Sequence, residues 1–173
     1  MKVKKYYMTI KRWFIKKLNF ISMPLYMKCY VQYLSQAGVK FRGGACGYID
    51  PSCQFDGAGY EYITIGNNTT ISKEVLLLVH DYSINRGLSM KNIEGKYQFL
   101  KPITIGNNCF IGARTTILPG TIIDDNCIIG ACSVVKGHVP EGSIVCGNPA
   151  KRVCGIDEWT VSHIEKKDYV AAK

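Results

Sequence analysis

The sequence predicts an all-β fold in which short parallel strands wind into a prism of stacked coils. Three observations lead to this fold class: an aliphatic residue recurs at every sixth position, a small residue fills the fifth place of each unit, and turn-forming residues lie between them. This spacing is neither the period of a helix nor the alternation of an ordinary strand. It describes a short strand, a corner and a further short strand.

The repeat is regular in two stretches that share one frame. The first place of each unit is aliphatic: Ile65, Ile71, Leu77, Ile105, Ile111, Ile117, Ile123, Ile129 and Val135. The fifth place is small: Thr69, Val75, Cys109, Thr115, Thr121, Cys127 and Ser133. Gly, Asn, Asp and Pro, which tolerate turns and positive φ, fill much of the rest. Three units make one triangular coil of eighteen residues, so Cys109 and Cys127 should stack on each other.

The extent of the repeat divides the chain into three segments. We expect a basic amphipathic arm over residues 1–42, a β-helix domain over 43–153 and a short helical tail over 154–173. A degenerate unit at 49–55 adds to the prism, which gives about four coils, and an irregular insertion follows at 56–62.

The arm carries most of the positive charge. Residues 1–49 contain ten Lys or Arg and no acidic residue, whereas the remainder has twelve basic and thirteen acidic residues. Lysines that alternate with aromatic residues suit either an amphipathic helix at a membrane surface or a helix packed on the protein's own core. Both interpretations remain open for residues 1–40. We expect no nucleic-acid partner, because no recognisable binding module accompanies the basic residues.

The eight cysteines do not predict a disulfide scaffold. The chain is not short, no cleavable leader pattern precedes it, and several cysteines occupy the small place of the repeat. We therefore expect reduced core residues and a cytoplasmic protein, with at most a peripheral contact to the inner face of the membrane.

The repeat breaks once in the middle of the chain. It stops after Leu77 and restarts near Pro102, and the loop excursion between them spans residues 81–101. A solenoid can eject a loop at a corner without disturbing its core, and binding or catalytic residues are often found in such loops.

His80 stands at the mouth of this excursion. Leu76 and Leu78 precede it and should point outward, and such an apolar strip predicts contact with another subunit. His80 is thus a candidate general base, with a purely structural histidine as the alternative. His138 lies in a late turn and His163 in the tail, where neither has a comparable setting.

The hexapeptide frame resembles that of the left-handed β-helix acyltransferases. Four motifs resemble the maltose and galactoside acetyltransferase group, and most closely the sugar O-acetyltransferases of capsule and exopolysaccharide clusters: His80-Asp-Tyr-Ser, Lys101-Pro-Ile-Thr-Ile-Gly, Phe110-Ile-Gly-Ala-Arg and Gly147-Asn-Pro-Ala-Lys-Arg. The likeness covers about residues 60–153. It implies a left-handed prism, acetyl-CoA as donor, no metal, and a sugar hydroxyl as acceptor in capsule, exopolysaccharide or O-antigen biosynthesis.

The resemblance also implies a mechanism. His80 would deprotonate the acceptor hydroxyl, which attacks the thioester directly, since an imidazole can accept a proton at neutral pH. The backbone N–H of Ala113 would stabilise the tetrahedral intermediate. A carboxylate should orient the ring. Asp81 ranks first because it is adjacent, and Asp56 and Glu61 in the insertion are the alternatives.

A coenzyme A groove between neighbouring subunits of a homotrimer is implied as well, so that each active site would be shared by two chains. Pantetheine would pass the backbone of three small residues, a closing turn would shape the end of the groove, and basic side chains would meet the phosphates. The residues concerned are Ala113, Gly130, Ala131, Lys136, Asn148, Pro149, Lys151 and Arg152. Phe110 stands where the family often has Trp, so packing around the cofactor or the acceptor can differ.

Other functions compete with this interpretation. An antibiotic-inactivating acetyltransferase of the streptogramin type would use the same loop histidine, and residues 82–100 would decide the acceptor. A non-catalytic β-helix scaffold is a further alternative. A metal-dependent carbonic anhydrase needs clustered histidines, which His80, His138 and His163 do not provide in the sequence.

Overall fold

The computed structural model describes residues 2–43, 46–57 and 59–171, with side chains from residue 10 onward. The chain winds left-handed into a triangular prism with three flat faces, each a sheet of parallel strands. Face A consists of β1 (Lys40–Phe41), β4 (Ile63–Ile65), β9 (Ile103–Ile105), β12 (Ile122–Ile123) and β15 (His138–Val139), with strands numbered along the chain. This architecture confirms the predicted fold class.

The other two faces are built in the same way. Face B consists of β2 (Tyr48–Ile49), β5 (Thr70–Ile71), β10 (Phe110–Ile111), β13 (Ile128–Ile129) and β16 (Ser143–Gly147), to which β17 (Ala150–Gly155) adds as an antiparallel edge. Face C consists of β3 (Gln54–Phe55), β6 (Leu76–Leu77), β11 (Thr116–Ile117) and β14 (Val134–Val135). Four complete coils are followed by two strands of a fifth.

The interior is filled by the first and fifth places of the repeat. Every aliphatic residue that the frame assigns to the first place is at most 1 % exposed, and every small residue of the fifth place at most 2 %. The degenerate unit also keeps register, because Ile49 pairs with Ile71 and Phe55 with Leu77. The pKa of Cys109 is raised by hydrogen bonding to Cys127 and by burial, as expected for stacked structural thiols.

The corners explain why asparagine recurs in the repeat. At the corner between faces A and B, Asn68, Asn108 and Asn126 have φ between 50° and 59°, a conformation that asparagine tolerates better than most residues. Their side-chain amides form a ladder, from Asn68 to Asn108 at 2.9 Å and from Asn108 to Asn126 at 2.8 Å. Each corner is therefore tied to the next coil by side chains as well as by backbone.

The arm folds into two helices, α1 (Lys2–Leu18) and α2 (Met23–Ala37), which cover the first coil. Tyr26 and Tyr30 of α2 are fully buried, and the Tyr26 hydroxyl donates a 2.7 Å hydrogen bond to the carbonyl of Ile49. From α1, Ile15 is buried and Arg12 donates to the carbonyl of Cys53. None of the described helices is long and apolar enough to cross a bilayer.

The opposite end of the prism is closed by a hairpin and a helix. Strand β17 folds back antiparallel on β16, and α4 (Ile156–Lys166) continues from it. The backbone N–H of Ile156 donates to the carbonyl of Gly142 at 2.8 Å, which fixes the start of this helix on the last coil. The short C-terminal helix is therefore present as predicted.

Neighbouring isoleucines of β12 provide a test of the interior. Ile123 is fully buried and Ile122 is 46 % exposed on the outer surface of the same strand. We expect Ile123→Ala to lower the free energy of unfolding by about 2–5 kcal/mol, because the cavity cannot collapse between flat sheets. Ile122→Ala is the matched control and should cost much less. Urea unfolding measures both, and equal losses would contradict the inward and outward assignment.

Candidate active site

The pair that His80 forms with Asp56 is the central feature of the site. Gln54 and Phe55 align with Leu76 and Leu77, so the corner that follows β3 lies directly against the corner that follows β6. Asp56 is 9 % exposed, and its Oδ2 meets Nδ1 of His80. The same oxygen accepts backbone hydrogen bonds from Val79 at 3.1 Å and from His80 at 3.3 Å.

The chemical state of the ring follows from these contacts. A carboxylate oxygen that already accepts two backbone N–H groups also acts as an acceptor for the ring, so the neutral imidazole carries its proton on Nδ1. Nε2 then has a free lone pair. The His80 side chain is 23 % exposed, which leaves it reachable from solvent. The arrangement is suited to remove a proton from a hydroxyl group placed at Nε2.

The structure corrects the choice of carboxylate. Adjacency in the sequence favours Asp81 as the partner of His80, yet the Asp81 carboxylate turns to the loop and accepts from the backbone N–H of Ser83 at 2.7 Å. This hydrogen bond is also the main cause that lowers the pKa of Asp81. Adjacent residues of a strand point to opposite sides, which explains why Asp81 does not hold the ring. Glu61 is exposed in a short 3₁₀ helix (Tyr60–Tyr62).

The loop excursion is an ordered lobe. Strand β7 (His80–Asp81) pairs antiparallel with β8 (Phe99–Leu100), and α3 (Ile84–Met90) lies between them. Its side chains are fastened by Asn85, which bonds to the backbone of both Tyr82 and Tyr97. The Tyr82 ring meets the His80 ring edge-on, with centroids 5.2 Å apart. The imidazole is thus flanked by a carboxylate and an aromatic ring.

A half-open cleft of about 170 Å³ lies at the base of this lobe. Its walls come from the loop and from the corner between faces C and A, and the lining residues are Asp81, Ser83, Phe99, Lys101, Leu118, Pro119 and Lys136. The Lys101 ammonium lies 5.7 Å from the centroid of the Phe99 ring. Lys136, expected among the phosphate-binding residues, therefore lies on the His80 side of its own chain.

The remaining candidate residues for cofactor binding lie at a different corner, between faces B and C. Gly112 donates to Ile129 at 2.8 Å, and a Cβ on Gly112 would come within 2.5 Å of the Ala131 backbone nitrogen. The coils approach so closely here that only glycine fits in this place. Within the described part of the chain, the N–H groups of Ala113 and Ala131 have no hydrogen-bond acceptor. They are stacked donors on an accessible edge.

The closing turn continues this edge upward. Gly147, at φ 102°, has the backbone conformation that glycine alone adopts readily, and its N–H donates to the Ser133 hydroxyl at 3.1 Å. Asn148 and Pro149 form the turn through a cis peptide bond. Lys151 and Arg152 follow on β17 and are exposed. Gly130 lies below, where a Cβ would come within 2.6 Å of Cys146 Cβ.

Within one chain these two corners are separated by the width of face C. The chain crosses face C between Ala113 and Leu118, and Leu118 lies beside Leu78 of the neighbouring coil. About five residues at roughly 3.3 Å each make this distance about 17 Å. The structure therefore brings together His80, Asp56 and the loop lobe at one corner. It gathers Ala113, Ala131 and the closing turn at another.

The other two histidines also pair with aspartates, but these pairs are exposed to solvent. His138 Nε2 lies 2.7 Å from Asp124, and His163 Nδ1 lies 2.7 Å from Asp168. All four of these side chains are at least 34 % exposed, against 6 % for the Asp56 side chain. Burial of the carboxylate, and the loop lobe beside it, distinguish His80 from both.

Comparison with known proteins agrees with this geometry. Residues 102–137 match the family described as bacterial transferase hexapeptide (six repeats). Protein CapG of Staphylococcus aureus is 33 % identical over 73 % of this chain and 72 % of its own length. The galactoside O-acetyltransferase of Escherichia coli is 39 % identical over 62 % of this chain. The chain spans about half the length of that enzyme and of other curated relatives.

Solved structures show the same fold. A galactoside acetyltransferase in complex with coenzyme A matches 96 % of this chain and 90 % of its own, with a TM-score of 0.57 and 24 % identity. A hexapeptide-repeat acetyltransferase of Vibrio cholerae, complexed with acetyl coenzyme A, matches 87 % of each chain with a TM-score of 0.58 and 20 % identity.

A prism of stacked hexapeptide coils is the fold of the bacterial hexapeptide transferases. By sequence the chain belongs to one family with Protein CapG of Staphylococcus aureus, and its fold is that of the maltose and galactoside O-acetyltransferases.

The His80 contacts generate a prediction that is independent of any activity. In ¹⁵N NMR spectra the neutral His80 ring should be protonated at Nδ1. Asp56→Ala should give a mixture of tautomers and lower the free energy of unfolding by about 1–3 kcal/mol, because two backbone N–H groups lose their acceptor. Asp81→Ala is the control and should keep the wild-type tautomer. An unchanged His80 spectrum in Asp56→Ala would refute the pairing.

Proposed function

We propose that the protein is an acetyl-CoA-dependent O-acetyltransferase that modifies a sugar hydroxyl. The observation that carries the proposal is the buried Asp56 behind His80, since it gives the imidazole a fixed orientation and an open Nε2. Family membership supports the reaction class, and the coenzyme A and acetyl coenzyme A of the structural neighbours support the donor.

The reaction then runs in one transfer step. Nε2 of His80 takes the proton of the acceptor hydroxyl as its oxygen attacks the thioester carbonyl, and the imidazolium that forms is stabilised by Asp56. The oxyanion needs an N–H donor, for which Ala113 is available. Collapse of the tetrahedral intermediate expels the coenzyme A thiolate, which takes up the proton from the ring. No side-chain nucleophile is needed.

Coenzyme A would lie along the corner between faces B and C. The N–H of Ala131 suits an amide carbonyl of pantetheine, because it lies one coil, about 4.8 Å, from the Ala113 N–H that faces the oxyanion. Gly130, Asn148 and Pro149 leave room for the chain at the closing turn. The exposed Lys151 and Arg152 would meet the phosphates.

A homotrimer with shared active sites resolves the separation of the two corners. The His80 corner of one chain would face the Ala113 corner of the next, and three sites would result around a three-fold axis. Lys136, on the His80 side of its own chain, would then reach the cofactor held by a neighbour. The partly exposed Leu76 and Leu78 on face C support a covered surface here.

The acceptor would enter from the loop lobe. Tyr82 and Phe99 offer aromatic surfaces for a sugar ring beside His80. The cleft at the base of the lobe is lined by both acidic and basic side chains. The motif resemblance to capsule and exopolysaccharide enzymes supports a saccharide built for the cell surface. All eight cysteines are free, which supports a reducing compartment such as the cytoplasm.

Replacement of the proposed base tests the reaction. His80→Ala should lower turnover by about 10²–10⁴ and leave coenzyme A affinity nearly unchanged, because the ring acts on the acceptor rather than on the donor. The control is His138→Ala, which removes another histidine paired with an aspartate and should act at the wild-type rate. Acetyl transfer to a panel of hexoses and N-acetylhexosamines provides the measurement. A normal rate in His80→Ala would show that another residue acts as the general base.

Replacement of an outward leucine tests the shared site. Leu78→Asp should dissociate the trimer and abolish transfer together, although His80 itself is untouched, because a carboxylate cannot be buried unpaired between subunits. Analytical ultracentrifugation and the transfer assay are run on the same samples. A wild-type monomer with full activity would disprove the shared arrangement.

A further inference from the structure

The helical arm presents an apolar surface that the prism does not cover. We call it the arm surface; it consists of Trp13, Phe14, Phe20, Ile21 and Met23, which are 53–84 % exposed. Trp13 and Phe14 lie on the outer side of α1, and Phe20 and Ile21 form the turn to α2. Exposure of five large apolar side chains within residues 13–23 marks an interaction site.

This exposure is not a sign of a poorly packed arm. The inner side of α1 is engaged through Ile15 and Arg12, and α2 buries Tyr26 and Tyr30 completely. The turn is also fixed, because the N–H of Ile21 donates to the carbonyl of Leu18 at 2.9 Å. The arm therefore already has a packed side, and the arm surface is its other side.

The charge of the arm itself is of one sign. Residues 1–49 contain ten basic and no acidic residues. Lys17 lies over the Trp13 ring, 5.3 Å from its centroid, and both Lys17 and Lys28 are exposed. A protein partner of ordinary surface composition would give such a cluster no matching array of charge, whereas anionic lipid headgroups do.

We propose that the arm surface docks on an anionic lipid bilayer as a peripheral anchor. Aromatic rings and Ile21 would enter the interfacial region while the lysines stay at headgroup level, which is the division typical of interfacial helices. The outer side of the arm would thus contact the membrane, and its inner side packs on the protein's own core.

Docking would also place the catalytic corner near the lipid. The arm covers the first coil, Asp56 belongs to that coil, and His80 lies on the next, about 4.8 Å further along the prism. An acceptor saccharide carried on a lipid would thus be presented at the level of the base. This part rests on the proposed function, whereas docking itself does not.

Co-sedimentation of the full chain with vesicles tests the anchor. Wild-type protein should bind vesicles of phosphatidylcholine with phosphatidylglycerol at least about ten-fold more tightly than vesicles of phosphatidylcholine alone, and high salt should weaken the binding. Phe20→Ser with Ile21→Ser should reduce binding about ten-fold or more. Val161→Ser with Ile164→Ser is the matched control, because these two residues are 53 % and 54 % exposed on α4, far along the chain from the arm. It should bind like wild type.

Several outcomes would overturn the proposal. Binding that is equal in both double variants, or no wild-type binding to the mixed vesicles at low salt, would do so. If the wild type forms an assembly in solution, and Phe20→Ser with Ile21→Ser dissociates it, the arm surface binds a second copy of the chain instead. Acetyl transfer to a water-soluble sugar should be unchanged in this variant. Vesicle binding without any transfer would refute the proposed function and leave the anchor standing.

Discussion

The structure depends on the vertical register of like places of the repeat, held by backbone hydrogen bonds from each coil to the next even where an insertion lengthens a coil. The N–H of Gly106 donates to Ile123 at 2.8 Å and that of Gly66 to Ile105 at 2.9 Å, so like positions lie above like positions along the whole prism. Because the coils approach within contact at these corners, a side chain on either glycine would collide with backbone of the coil above. Interior isoleucines, corner asparagines and free amide edges all follow from this register.

The same register creates the candidate site. An insertion after β3 and an excursion after β6 both leave the prism at the corner between faces C and A, one coil apart, and this places Asp56 behind His80. The scaffold fixes the orientation of this pair, and the loop lobe places Tyr82 against the His80 ring. The lobe is joined to the scaffold beside the histidine, where the Lys101 N–H donates to the Val79 carbonyl at 2.9 Å and Leu100 pairs with His80.

The sequence alone predicts the parts governed by periodicity and leaves out those governed by irregular contacts. The interior residues, the stacking of Cys109 on Cys127 and the outward excursion follow from the repeat. Adjacency favours the wrong carboxylate, because Asp56 lies inside the aperiodic insertion. Extension of the frame from Phe55 places Asp56 beside Leu78. The contact of Tyr82 with His80 depends on how the loop packs, and the division of the arm into a buried and an exposed side depends on how the two helices pack. Residue spacing alone does not predict either.

The two ends of the prism have a consequence for solubility. A stack of parallel strands ends in unpaired backbone groups that could recruit another stack and grow into a fibre. Here α1 and α2 cover the first coil, and at the other end β17 reverses direction, so that face B ends in an edge of opposite polarity. A second prism cannot continue the parallel ladder across that edge in register. The hairpin at Asn148 and Pro149 thereby disfavours end-to-end polymerisation of the folded chain along face B.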